Sequence, residues 1–102
     1  NVVAESVTPS YAGGSGRIDF VLPQYRLGVE LKMTRAGMND RAVGDQLIED
    51  RDRYKADPKI DHLLCLVFDF EGLLTNPRGL EQDLSRESSV EGLAVTVKIL
   101  DR

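Results

Sequence analysis

The sequence predicts a layered α/β domain built around a mixed sheet. Three observations carry that reading. Two alternating apolar segments, at about 17–22 and 27–34, are separated only by the turn-forming PQYR. A polar-capped stretch from about 40 to 56 repeats its apolar residues at helical spacing. The near-continuous apolar run HLLCLVFDF and the alternating LAVTVKIL then read as further strands, with a short helix near 78–87 between them. The expected order is β-β-α-β-α-β.

Residues 1–16 open with small and polar residues and end in YAGGSG, which reads as a flexible loop. No Walker-type lysine follows these glycines, so they carry no phosphate-loop signal. In the hairpin, side chains alternate faces. Pairing Leu22 with Leu27 puts Phe20 opposite Val29 and Ile18 opposite Leu31, all expected to point at the core. The same register puts Asp19 opposite Glu30 and Arg17 opposite Lys32 on the polar face, and a one-residue slip would expose the apolar set. Asn39 or Asp40 is placed to cap the helix, and the Asp57-Pro58 pair stops it. Val43, Leu47, Asp50 and Tyr54 form one stripe on that helix, with Gln46 at its edge. Asp50 in such a stripe is either a buried carboxylate with a partner or a surface acid paired with a nearby arginine. The apolar run at 62–70 is expected to be covered on both faces, and Asp69 and Glu71 to form its closing turn. In the last strand, Leu93, Val95, Val97 and Ile99 share the buried face; Thr96 and Lys98 share the other.

A chain of 102 residues makes one domain with a modest core. It begins at Asn1, not at a methionine, and is expected to be a piece of a longer protein. No apolar run is long enough to span a membrane, and no signal peptide is visible. The net charge of −4 argues against strong nucleic-acid binding by the chain alone, although not against a site that first takes up a divalent cation. The lone Cys65 reads as a small core hydrophobe in a reducing compartment. His62 is the only histidine and lacks companions for a zinc site. It also lies three positions from Cys65 and so on the opposite strand face, which excludes a Cys–His pair.

The acids of the hairpin therefore hold the chemical interest. Opposed residues have Cβ atoms roughly 4.5–5.5 Å apart, so Asp19 and Glu30 repel each other unless a cation lies between them. Mg²⁺ binds carboxylate oxygens at about 2.0–2.1 Å and keeps several waters, which suits such a pair. Lys32 follows on the same face, within reach of a metal-bound water and a phosphate oxygen. Arg17 and Arg35 flank the acids, either to hold phosphates or to serve as counter-ions.

Asp19 followed across a hairpin by Glu30-Leu31-Lys32 resembles the signature of the PD-(D/E)xK nuclease superfamily. The segments ESVTPSYAGGSGRIDFVL, ELKMTR, GDQLIEDRDRY, LVFDFEG and NPRGLEQDLS, in that order, resemble the DpnII/MboI-type restriction-endonuclease-like domain over nearly the whole chain. The resemblance implies a restriction-endonuclease-like core, a mixed central sheet flanked by helices. It also implies Mg²⁺- or Mn²⁺-dependent hydrolysis of DNA, as the effector of a bacterial restriction or phage-defence protein in the cytoplasm. Asp19, Glu30 and the backbone carbonyl of Leu31 would then hold the metal, Lys32 would activate water, and Gln46 would stand beside them. Phe70 departs from the proline expected after Asp69. The helix that leads the hairpin in the superfamily is expected to lie outside residues 1–102, with Glu5 the one upstream acid in a position to replace its acid. Double-strand cutting by one catalytic patch implies a dimer, or a neighbouring sensor or DNA-binding domain. Two alternatives stand beside this reading: a degenerate fold used for binding or oligomerisation, and a nuclease for RNA or branched DNA.

Overall fold

The computed structural model describes residues 7–8, 17–85 and 92–101, with Val7, Thr8, Arg17 and Ile18 described as backbone only. Glu5 lies outside them. The elements are β1 (Val7–Thr8), β2 (Arg17–Leu22), a 3-10 turn (Pro23–Tyr25), β3 (Leu27–Met33), α1 (Asp40–Lys55), β4 (His62–Asp69), α2 (Pro77–Leu84) and β5 (Ala94–Asp101). The sheet order is β1-β2-β3-β4-β5. Its first two pairings are antiparallel and its last two parallel, so the sheet is mixed, with α1 and α2 as the crossovers. The expected order holds, with one addition. Val7 and Thr8 pair with Phe20 and Asp19, so the leader contributes a two-residue strand where a loop was expected.

The hairpin register is the one its alternation predicts: Leu22 with Leu27, Phe20 with Val29, Asp19 with Glu30 and Arg17 with Lys32. The chain turns through Arg26, whose left-handed φ of 51° closes the loop. Arg26 is held there by a paired contact to Asp61, at 2.6 and 3.0 Å. Asn39 caps α1 by accepting from the Ala42 N–H. Asp40 accepts from the Thr75 and Asn76 N–H groups instead, tying the start of α1 to the start of α2.

The expected orientation of the sheet requires correction. Both helices pack on the face that carries Glu30. There Val43, Leu47 and Tyr54 of α1 join Leu63, Cys65, Val67, Val95, Val97 and Ile99 in the core. Gly28 makes this close approach feasible: a Cβ at that position would lie 3.0 Å from the Tyr54 ring. The hairpin's apolar set, expected in the core, is on the other face. Phe20, Leu22, Leu27, Val29 and Leu31 are only half-buried there, and Met33 is exposed. Likewise β4 is covered by helices on one face only among the described residues, with Leu64, Leu66 and Phe68 half-buried on the other. The reason lies in α1. Its stripe carries Asp50, which meets the Lys32 ammonium at 3.2 Å on this face of the sheet.

On β5, Leu93, Val95, Val97 and Ile99 are buried as expected. This strand lies at the margin of the sheet, and α2 covers its outward backbone groups with side chains. The Ser85 hydroxyl accepts from the Val97 N–H, Glu81 accepts from the Ile99 N–H, and Arg78 donates to the Ile99 carbonyl.

Candidate active site

Of the expected site residues, Asp19, Glu30, Lys32 and Gln46 come together, and the two acids and the lysine do so inside the protein. Glu30 is 0% exposed, Lys32 4% and Asp19 8%. Asp50, placed above them by α1, is 3% exposed, so it is the buried carboxylate with a partner and not a surface acid. Lys32 Nζ lies 3.2 Å from Asp50 Oδ2 and 4.0 Å from Glu30 Oε2, and it donates to Gln46 Oε1 at 3.2 Å. Gln46 thus stands beside Lys32, at the edge of the α1 stripe.

Arg53, one turn further along α1, was not among the expected residues. Its Nη2 lies 3.5 Å from Asp19 Oδ2, 3.2 Å from Glu30 Oε1 and 3.6 Å from Asp50 Oδ1. Asp50 and Arg53 are three residues apart on one helix and so share a face, which is the signal that could have found it. Among the described contacts, Lys32 and Arg53 stand as counter-ions to these acids. Arg17 faces Lys32 in backbone register only, and Arg35 is exposed in the loop after β3. Leu31, between Glu30 and Lys32, has its side chain half-buried on the opposite face.

Electrostatics divide the acids. Burial, reinforced by the hydrogen bond to Asp50 and its charge, pushes the Glu30 carboxyl up to about 9. Burial would raise Asp50 too, but the hydrogen bond from Glu30 and the charges of Lys32 and Arg53 hold it below the usual carboxylate range. Glu30 and Asp50 therefore share one proton at neutral pH, and it resides on Glu30.

The remaining candidates are structural. Cys65, beside Glu30 in the β3–β4 register, is buried, and its thiol pKa is raised by that burial, so it is no nucleophile. His62 faces the other way, its Nε2 2.9 Å from Thr96 Oγ1. Asp69 closes the turn after β4 as expected, accepting from the Leu73 and Leu74 N–H groups and from the Thr34 hydroxyl. Phe70 is exposed, its ring tilted against Phe68.

Among the described residues, no group of three or more His, Cys, Asp or Glu side chains is arranged to hold a metal ion, and no helix is long and apolar enough to cross a membrane. No curated protein and no solved structure matches the chain. The DpnII-MboI restriction endonuclease family (REase_DpnII-MboI) does, over residues 1–99. With this mixed sheet, its flanking helices and its acid–lysine hairpin, the chain belongs to the DpnII/MboI restriction endonuclease family, a family of DNA-cutting nucleases.

Proposed function

We propose that the chain is a Mg²⁺- or Mn²⁺-dependent endonuclease module of the PD-(D/E)xK type, hydrolysing DNA phosphodiester bonds. In this reading it is the cutting part of a bacterial restriction or phage-defence protein working in the cytoplasm as a dimer or beside a sensor domain. The observation that carries the proposal is the buried Lys32 ammonium, held by Gln46 and Asp50 in register with the Asp19–Glu30 pair. Burying these charges carries a desolvation cost that pairing offsets only in part, and a dry site is where an ammonium stabilises developing charge most strongly.

The donors fit a hard cation. Asp19 and Glu30 offer opposed carboxylates, and a positively charged guanidinium already sits against both. Mg²⁺ keeps several waters, so two carboxylates with the Leu31 carbonyl form a sufficient protein set without a third acid. When bound, such a cation acidifies water and stabilises developing negative charge. Asp19 and Glu30 would hold it, and Glu30 must give up its proton to do so. Lys32 would place its ammonium at the attacking water and the phosphate oxygen, with Gln46 fixing its direction. Asp50 pairs with the Lys32 ammonium at 3.2 Å and so holds it in the buried site.

Single-turnover cleavage and metal binding, measured together on Lys32→Ala, test this. The expected result is a loss of cutting by about two to three orders of magnitude with metal binding retained. Near wild-type cutting in saturating Mg²⁺ removes Lys32 from the mechanism. A second reading, a degenerate fold whose acids are simply neutralised by Lys32 and Arg53, draws on the ion pairs and on the missing three-acid cluster among the described residues. It expects no cutting by the wild type and no metal uptake.

A further inference from the structure

Lys32 and Arg53 both lie against the acid cluster, and they are held differently. Lys32 is 4% exposed and takes up Asp50 and Gln46 at 3.2 Å each. The Arg53 side chain is 44% exposed while the acids it touches are buried. Arg53 is thus the exposed member of the contacts described on Asp19 and Glu30. Its hold on them is also poor for an arginine. A guanidinium bound as a fork makes two parallel contacts of about 2.7–2.9 Å. Here a single nitrogen is shared among three carboxylates at 3.2–3.6 Å. It acts as a point charge spread over three acceptors, a role that another cation can take over.

We propose that Arg53 is the displaceable cation of this site: its guanidinium holds the acids together in the metal-free chain and yields its place to a divalent cation. The inference rests on the reading that Asp19 and Glu30 take up such a cation. A guanidinium and a divalent ion repel, and they compete for Asp19 Oδ2 and Glu30 Oε1. The arginine stem is anchored on the last turn of α1, where the head can turn outward without breaking helix hydrogen bonds. The 5.1 Å contact of its guanidinium with the Tyr54 ring does not require the acids. Arg53 therefore lowers metal affinity while it protects the metal-free fold.

Calorimetric titration of Mn²⁺ into wild type, Arg53→Ala and Arg53→Lys tests this. Removing the competitor should tighten Mn²⁺ binding about tenfold, the equivalent of roughly 1.4 kcal/mol. Arg53→Lys, which keeps a positive group, should fall between. In chelator, Arg53→Ala should melt below wild type. Equal or weaker Mn²⁺ affinity in Arg53→Ala overturns the displacement while leaving the metal site standing. Absence of Mn²⁺ binding in both proteins overturns the metal reading and the displacement with it. Should Arg53→Ala fail to fold, the wild type decides. Its Arg53 Nε–Hε resonance should move as Mg²⁺ is added to saturation, and a resonance unmoved by bound Mg²⁺ overturns the proposal.

Discussion

Glu30 and Asp69 are both buried acids on the helix-covered face of the sheet, on neighbouring strands, yet their surroundings are opposites. Asp69 is 1% exposed and accepts from two backbone N–H groups and a threonine hydroxyl. Those donors are fixed by the turn, and despite its burial they hold its carboxyl below the usual range. Glu30 is matched by side-chain cations and a shared proton, and its carboxyl is pushed up. A carboxylate meant to stay is satisfied by backbone dipoles. One meant to exchange partners is satisfied by charges that can move or leave. The distinction separates an acid that builds the fold from an acid available for chemistry.

The comparison breaks most directly at Asp69. Asp69→Ala strands the buried Leu74 N–H and the part-buried Leu73 N–H and should cost about 3 kcal/mol in urea unfolding, with no recovery on adding metal. A loss under 1 kcal/mol would mean that the turn relaxes and that its donors were never fixed. Glu30 should show the reverse sign in chelator. The unfolded chain releases this proton near 4.5, whereas the folded chain keeps it to about 9. Between those values the folded state binds more protons, so stability is greatest at the acid end and falls as pH rises. The slope is at most about 1.4 kcal/mol per pH unit. Glu30→Gln should flatten it, and parallel pH profiles for the two proteins would refute the shared proton. Asp40 sharpens the contrast. It too accepts from two backbone N–H groups, but it is only partly buried, and water can replace it. Asp40→Ala should therefore cost about 1 kcal/mol, again without a response to metal.

How far the sequence could be read differs by level. The Asp19–Glu30 register was legible because strand alternation and a tight turn leave one pairing that keeps Leu22 with Leu27. The helix cap, the closing acid Asp69 and the buried side of β5 were equally local. The covered face was not. Leu27, Val29 and Leu31 look like the inside of a hairpin, yet α1 lies across Glu30 and Lys32. That choice depends on charge matching between Asp50 and Lys32, groups 18 positions apart in the chain, which no local period reports. Arg53 escaped for a related reason. An arginine on the last turn of a helix reads as a favourable charge for the helix dipole, and only the packing turns it onto three acids. The two residues of β1 are too short a strand to leave a pattern at all.

The way α2 meets β5 has a consequence for how copies of this protein behave in a crowded solution. A sheet margin with bare amides is a template on which another chain can crystallise, the first step towards fibrils. Here the weave is finished with a selvedge. Ser85, Glu81 and Arg78 already hold the amides of Val97 and Ile99 and the carbonyl of Ile99. An incoming strand would have to unpick three hydrogen bonds, and the Arg78–Glu81 ion pair that braces two of them, before it formed its first. Growth of the sheet from this side is thereby discouraged by side chains drawn from one short stretch, Arg78 to Ser85, whose Leu80 and Leu84 also pack against the core.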